Sequence, residues 1–158
     1  MITETDLRRL RRCVDLAAEA LEAGDEPFGS VLTGPSGEVL FEERNRVNTI
    51  DRTCHPEFAI ARWAAANLSP GERAAATVYT SAEHCPMCAA AHALVGLGRI
   101  VYATSREHLA QWRAERGAPP SPLSSLPIRA VAPGVAVEGP VPRYVEEVRA
   151  LHHRLPTC

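Results

Sequence analysis

Two short segments constrain this chain more than any other feature: His55-Pro56-Glu57 and Cys85-Pro86-Met87-Cys88. In each, a residue able to ligate a metal is followed immediately by proline. Proline has no N–H to lose at the first helical position and its fixed φ suits the first turn, so both segments read as helix starts. The 30 positions from His55 to Cys85 leave room for one helix, a turn and one strand. A fold that satisfies both segments can bring two neighbouring helix N-termini to one point.

The rest of the chain supplies the frame. Thr3-Glu4-Thr5-Asp6 has capping-box spacing, with Asp in place of the usual Glu. Leu7, Leu10, Val14, Ala17, Ala18 and Leu21 then recur at helical period until Gly24 stops the run. Phe28–Thr33 and Glu38–Glu43 flank Gly34-Pro35-Ser36-Gly37 and predict a hairpin. His55–Leu68 is apolar almost all round, as a helix buried against a sheet would be. Ser69-Pro70-Gly71 breaks that helix, and Ala76–Thr80 follows as a short buried strand. Pro86–Val95 predicts a helix, Arg99–Ala103 a strand, and Ser105 to Arg116 a capped helix ended by Gly117. Residues 117–127 form a linker-like stretch, Ile128–Val131 a short strand, and 140–155 a final helix with Val145, Val148, Leu151 and Leu155 on one face. Helices and strands in this order predict one α/β domain over residues 1–158, with helices on both faces of a sheet.

Composition narrows the function. At 158 residues the chain is one domain long and can bury a self-sufficient core. A formal charge of −2, with 5% aromatic residues, argues against nucleic acid as the partner. All 17 basic side chains are arginine, four of them (Arg8, Arg9, Arg11, Arg12) on the first helix, where a solvated face is expected. No apolar run reaches the roughly 20 residues of a membrane span. The first residues lack the basic-then-apolar order of a signal peptide, so a cytoplasmic location is expected. Five cysteines are an odd number, and a reducing compartment disfavours a disulfide framework. Cys13, Cys54 and Cys158 read as incidental, His92 as a core histidine, and His152 and His153 as a solvated helix face.

One imidazole and two thiols, His55, Cys85 and Cys88, make three protein ligands for a tetrahedral zinc ion and leave a fourth position for water. A structural site would close all four positions. Glu57, two residues beyond His55, is close enough to exchange protons with that water without being a ligand. A C-x-x-C after a strand is also the pattern of a thiol-redox site, but that reading leaves His55-Pro56-Glu57 without a role.

The paired motifs resemble the signature of the zinc-dependent cytidine deaminase superfamily, H-x-E followed by P-C-x-x-C. Within it the chain is most similar to the guanine deaminase and tRNA adenosine deaminase branch. The similarity is carried by Pro27-Phe28-Gly29-Ser30, Asn45, Cys85-Pro86-Met87-Cys88 and Gly98-Arg99-Ile100-Val101-Tyr102, and spans roughly residues 5–116. The resemblance implies a three-layer α/β/α fold around a mixed five-stranded sheet. It implies one zinc ion per chain on His55, Cys85 and Cys88, with Glu57 as proton shuttle and conversion of C–NH₂ to C=O with loss of ammonia. It also implies substrate contacts from Asn45 and from the segment around Glu83, beside which His84 is placed to donate to a substrate carbonyl or to sit at the rim, together with a homodimer and a C-terminal helix over the pocket, where Tyr144, Glu146 and Glu147 are candidates. A small nucleobase-like substrate is expected (guanine, isoguanine, a cytosine analogue or an aminotriazine), the alternative being a nucleoside or tRNA. Two departures stand out: His84 where the signature has proline, and Pro56, which removes a backbone N–H next to the base.

Overall fold

The computed structural model describes residues 1–156, and Cys158 lies outside them. Thr3 caps helix α1 (Glu4–Glu22) through the full reciprocal box with Asp6. A hairpin follows, β1 (Gly29–Thr33) with β2 (Val39–Arg44). Next come α2 (Pro56–Asn67), α3 (Pro70–Ala75), β3 (Thr77–Ala82), α4 (Pro86–Leu94), β4 (Arg99–Thr104) and α5 (Arg106–Glu115). The chain ends with α6 (Ile128–Val131), β5 (Val137–Glu138), a 3₁₀ turn at Pro142–Tyr144 and α7 (Val145–His153).

The five strands make one mixed sheet in the order β2-β1-β3-β4-β5. β1 is antiparallel to both neighbours, whereas β3, β4 and β5 are parallel. Period-two alternation sorts the strand side chains between two cores. Val31, Tyr79, Val101 and Ala103 pack with α1, α5 and α7, centred on Leu10, Trp112 and Val148. Leu32 and Val78 point the other way, against Ile60, Ala61 and Ala64 of α2, and Ile100 meets Ala89 of α4 and Ile128 of α6. The result is three layers, α/β/α. Gly29 is required by this stacking: a Cβ there would lie 2.4 Å from Leu16 Cβ, where α1 crosses β1.

Two local expectations are corrected. Ile128–Val131 is helical, because Pro127 opens a turn and the Ile128 N–H is held by the Glu83 carboxylate at 2.9 Å. The fifth strand is the two-residue segment after it, at Val137–Glu138. Ser69-Pro70-Gly71 ends α2 but also starts α3, through a capping box between Ser69 and Glu72. The arginines of α1 are engaged rather than merely solvated, Arg11 with Glu147 and Arg12 with Glu42. Cys13 lies in the core and Cys54 is half-buried. No helix among the described residues is long and apolar enough to cross a membrane.

Asp6 ties α1 to the sheet. Its buried carboxylate accepts from Arg99 (2.9 and 3.1 Å), Tyr79 Oη (2.8 Å) and the Thr3 N–H (2.8 Å). Burial alone would raise its pKa, but Arg99 and the other donors hold it well below the usual carboxylate range. A group with a depressed native pKa contributes stability that is present above its unfolded pKa of about 4 and is lost as pH falls towards the native value. Asp6→Ala should therefore cost about 3 kcal/mol at neutral pH, since it strands Arg99 and Tyr79. Melting should fall by roughly 10 °C. Melting curves between pH 7 and pH 3 check this: the difference between the two proteins should shrink as pH falls.

Candidate active site

The two helix starts meet beside the C-terminal end of β3. His55 is the N-cap of α2 and Cys85 the N-cap of α4, each followed by its proline at the first helical position. Cys88 lies one turn into α4 and is fully buried. The His55 Nδ1 atom is 3.4 Å from Cys85 Sγ and 3.5 Å from Cys88 Sγ, and the three donor atoms lie within 4.8 Å of one another. Zinc bonds of about 2.3 Å to sulfur and about 2.0–2.1 Å to nitrogen, at a tetrahedral angle, place those atoms about 3.5 Å apart. The donor set therefore fits zinc in type and in spacing. A hydrogen bond from Cys88, helped by His55, holds the Cys85 thiol down to about 4, while sharing with Cys85 and burial push Cys88 up.

Glu57 stands beside this trio without joining it. Its Oε1 accepts from Thr80 Oγ1 (2.7 Å) and Ser30 Oγ (3.1 Å), inward-facing hydroxyls of β3 and β1. Oε2 is left for the cavity that Glu57 lines. Burial pushes the carboxyl above its ordinary range, which suits a group that must both take and give a proton near neutral pH.

A cavity of about 580 Å³ opens over these residues. It is lined by His55, Pro56, Glu57 and Cys85, by α5, by residues within 118–125, and by His152 and Leu155. Asn45 lines it. Its Oδ1 accepts the Val47 N–H at 3.0 Å, so the side chain offers its NH₂ to the cavity. Glu83 also lines it, but both carboxylate oxygens are engaged, by the N–H groups of Arg106 and Ile128 at 2.9 Å each. Its own N–H goes to Thr104 O at 2.7 Å, which leaves its carbonyl as the polar group available there. His84 is elsewhere. It is buried edge-on against His92, ring centroids 5.4 Å apart, and is not part of the cavity wall. His92 itself bonds Gly98 O at 2.7 Å, as a satisfied core histidine does.

The end of the chain departs from its sequence reading. His152, expected on a solvated face, is 5% exposed, packs against Phe28 and Trp112, and lines the cavity with Leu155. Burial and the nearby Arg116 push its pKa down to about 3. One ring nitrogen meets the Pro27 carbonyl. The ring is a neutral imidazole whose Nε2 is buried without a partner among the described residues. Tyr144, Glu146 and Glu147 point away from the cavity: Tyr144 bonds Leu7 O, and the two glutamates pair with Arg149 and Arg11. Ser30, Thr80 and His152 are the site residues that sequence alone did not assign. For the two hydroxyls the available signal was a polar residue at an inward position of a buried strand.

Residues 3–104 match the family described as the cytidine and deoxycytidylate deaminase zinc-binding region. The chain is 29% identical over 155 residues to a probable cytosine deaminase of Schizosaccharomyces pombe, covering 97% of this chain and 93% of that protein. It is 30% identical over 104 residues to the tRNA-specific adenosine deaminase of Haemophilus influenzae, 65% of this chain and 60% of that one. Among solved structures, the guanine deaminase of Bacillus subtilis superposes with a TM-score of 0.59 at 28% identity, covering 80% of this chain and 83% of that one. The three-layer fold is thus the cytidine deaminase-like fold, and the His/Cys/Cys group lies in the family's zinc-binding region. The chain belongs to the cytidine and deoxycytidylate deaminase family.

Proposed function

We propose that this protein is a zinc-dependent hydrolytic deaminase of a small aminated ring, a free nucleobase or a ring analogue of one. The observation that carries this reading is that Glu57, with Oε1 held by Thr80 and Ser30, lines the same cavity as His55 and Cys85. His55, Cys85 and Cys88 would hold one zinc ion per chain. When bound, the ion supplies Lewis-acid chemistry that makes a water nucleophilic near neutral pH. Glu57 takes a proton from the attacking water and hands it to the departing exocyclic amino group. Ser30 and Thr80 keep the carboxylate in place by holding its other oxygen. C–NH₂ becomes C=O, and ammonia leaves past the Glu83 carbonyl.

The remaining wall supports recognition of a flat ring with a mixed polar edge. Asn45 brings a donor and the Glu83 carbonyl an acceptor, and Phe28 and His152 stand beside them as ring faces. Pro56 has no N–H to offer on the same wall, so the ring's acceptors there meet carbon. His152 and Leu155 bring the C-terminal segment over the cavity, which favours a free small molecule over an anticodon loop. The resemblance to the deaminase branch extends this reading to a homodimer formed through the helices that flank the site. Reduced thiols at Cys85 and Cys88 suit a cytoplasmic location.

Ammonia release tests the substrate class. The panel is guanine, isoguanine, cytosine, aminotriazines, their nucleosides where these exist, and an anticodon stem–loop. Release from free rings is the expected result. Release from nucleosides or RNA alone would replace this reading with that of a nucleoside or tRNA deaminase.

A further inference from the structure

The loop between β2 and α2, residues 45–55, carries Asn45 at one end and His55 at the other, and both line the cavity. Its first turn is held from outside the loop, by a carboxylate that does not line the cavity. Asp25 follows α1, with its N–H on the Ala20 carbonyl at 2.9 Å and its side chain wholly buried. Oδ1 accepts the N–H groups of Asn48 (2.8 Å) and Thr49 (3.0 Å). Oδ2 accepts Thr49 Oγ1 (2.9 Å) and Arg44 Nη1 (3.1 Å). Four donors on two oxygens suit a carboxylate, because an amide would set its own N–H groups against two of them. Burial alone would raise the pKa of this group, but those donors hold it below the ordinary carboxylate range.

The Asp25 carboxylate completes the account of the turn's backbone donors. The Asn45 N–H goes to Phe28 O and the Arg46 N–H to Cys54 O, both at 3.0 Å. The Val47 N–H goes to Asn45 Oδ1, those of Asn48 and Thr49 to Asp25, and that of Ile50 to Arg46 O. Arg44 Nη1 also donates to the Asn45 carbonyl at 3.1 Å, so the NH₂ is the one polar group of Asn45 left uncommitted. A backbone N–H can be met only by the amide oxygen, so the Val47 bond decides which end of the Asn45 side chain is free. That bond lasts only while the turn keeps Val47 beside Asn45.

The other half of the loop has its own anchor. Asp51 Oδ1 accepts the Thr53 N–H and hydroxyl at 2.8 and 2.6 Å, and the Asp51 carbonyl accepts the Cys54 N–H at 3.0 Å. Thr53 O then takes the His55 N–H at 2.7 Å. Asp25 makes no hydrogen bond to that half.

Resting on the deaminase reading above, we propose that Asp25 is the positioning residue for ring recognition: it fixes the 46–49 turn so that Asn45 offers its NH₂, and not its carbonyl, to an acceptor on the ring.

Steady-state ammonia release by the zinc-loaded full chain, with cytosine, guanine and isoguanine as substrates, tests this on four proteins: the parent, Asp25→Asn, Asn45→Ala and the double variant. Asn45→Ala should raise KM by about three- to tenfold, the worth of one hydrogen bond, and should affect KM more than kcat. Asp25→Asn should raise KM by a similar factor and keep about one zinc per chain. The double variant should be no worse than Asn45→Ala alone. Two residues acting separately would instead multiply their losses. Thr49→Val is the milder variant should Asp25→Asn fail to fold. It removes one donor of the four and keeps the backbone N–H, so KM should rise by a smaller factor, and only where Asn45 is present. Hydrogen exchange at the Val47 amide reads the positioning without any substrate. It should be slow in the parent and fast in Asp25→Asn, while the Ala59 amide, bonded to His55 O, stays protected in both.

An unchanged KM in Asp25→Asn overturns the proposal, as do losses that multiply in the double variant. So does a Val47 amide that stays protected without the carboxylate. Loss of zinc from a folded Asp25→Asn also overturns it, since the carboxylate would then be holding His55. Absence of ammonia from every ring with the parent protein sinks the deaminase reading instead, and exchange at Val47 still decides whether Asp25 sets Asn45.

Discussion

Glu57→Ala should leave zinc content and fold intact and lower ammonia release by about 10⁴-fold or more. A single general acid–base group contributes roughly 10²–10⁴-fold. Glu57 acts on both the attacking water and the leaving nitrogen, which puts its loss at the top of that range. The effect is confined to chemistry because the residue is not one of the three ligands: its Oε1 rests on Thr80 and Ser30, not on the sulfur and nitrogen donors. Stability should change little. The substitution removes two hydrogen bonds but also a carboxyl whose pKa burial has raised, and the two effects oppose. Steady-state ammonia assays beside metal analysis of the same preparation make the comparison. A variant that kept its rate would place the proton transfer elsewhere in the cavity.

Cys88→Ala should act on the metal first and on everything else through it. Cys88 is fully buried, and its sulfur stands 3.5 Å from His55 Nδ1. Removing it leaves two donors, too few to hold zinc through dialysis. Zinc should fall from about one per chain to near zero, and turnover to background. Because bound metal stabilises only the native state, the parent protein should melt lower after chelation, by the equivalent of about 3 kcal/mol or more for an ion present at a hundred times its dissociation constant. The variant should melt at one temperature with or without the chelator. Cys13→Ala is the control: that thiol is buried in the other core, among Leu10, Val14 and Leu16, and should leave zinc untouched.

The parts of this molecule legible in the sequence are those set by local chemistry. Thr3 and Asp6 announce the first helix because a capping box satisfies its own backbone groups. His55-Pro56 and Cys85-Pro86 announce two more, and those starts fix the ligand-bearing residues before any packing is known. What escaped depends on distant partners. Ile128–Val131 is four apolar residues, for which periodicity cannot separate strand from helix, and the deciding group is the Glu83 carboxylate 45 positions earlier. His152 reads as a surface residue beside His153 until α7 is packed, when one ring turns to Trp112 and the cavity and the other to Glu115 at the surface. Ser69-Pro70-Gly71 is the instructive exception, since the box with Glu72 was local and readable.

The most direct test of the central claim is turnover by the zinc-loaded protein in ¹⁸O-enriched water, with ring product and ammonia measured together. The account predicts one ammonia released for each ring converted, one ¹⁸O in the new ring carbonyl, and neither product from Glu57→Ala. A protein that carries zinc at His55, Cys85 and Cys88 but releases no ammonia from any aminated ring, neutral or acidic, would contradict it. So would one that holds no zinc and instead cycles a Cys85–Cys88 disulfide.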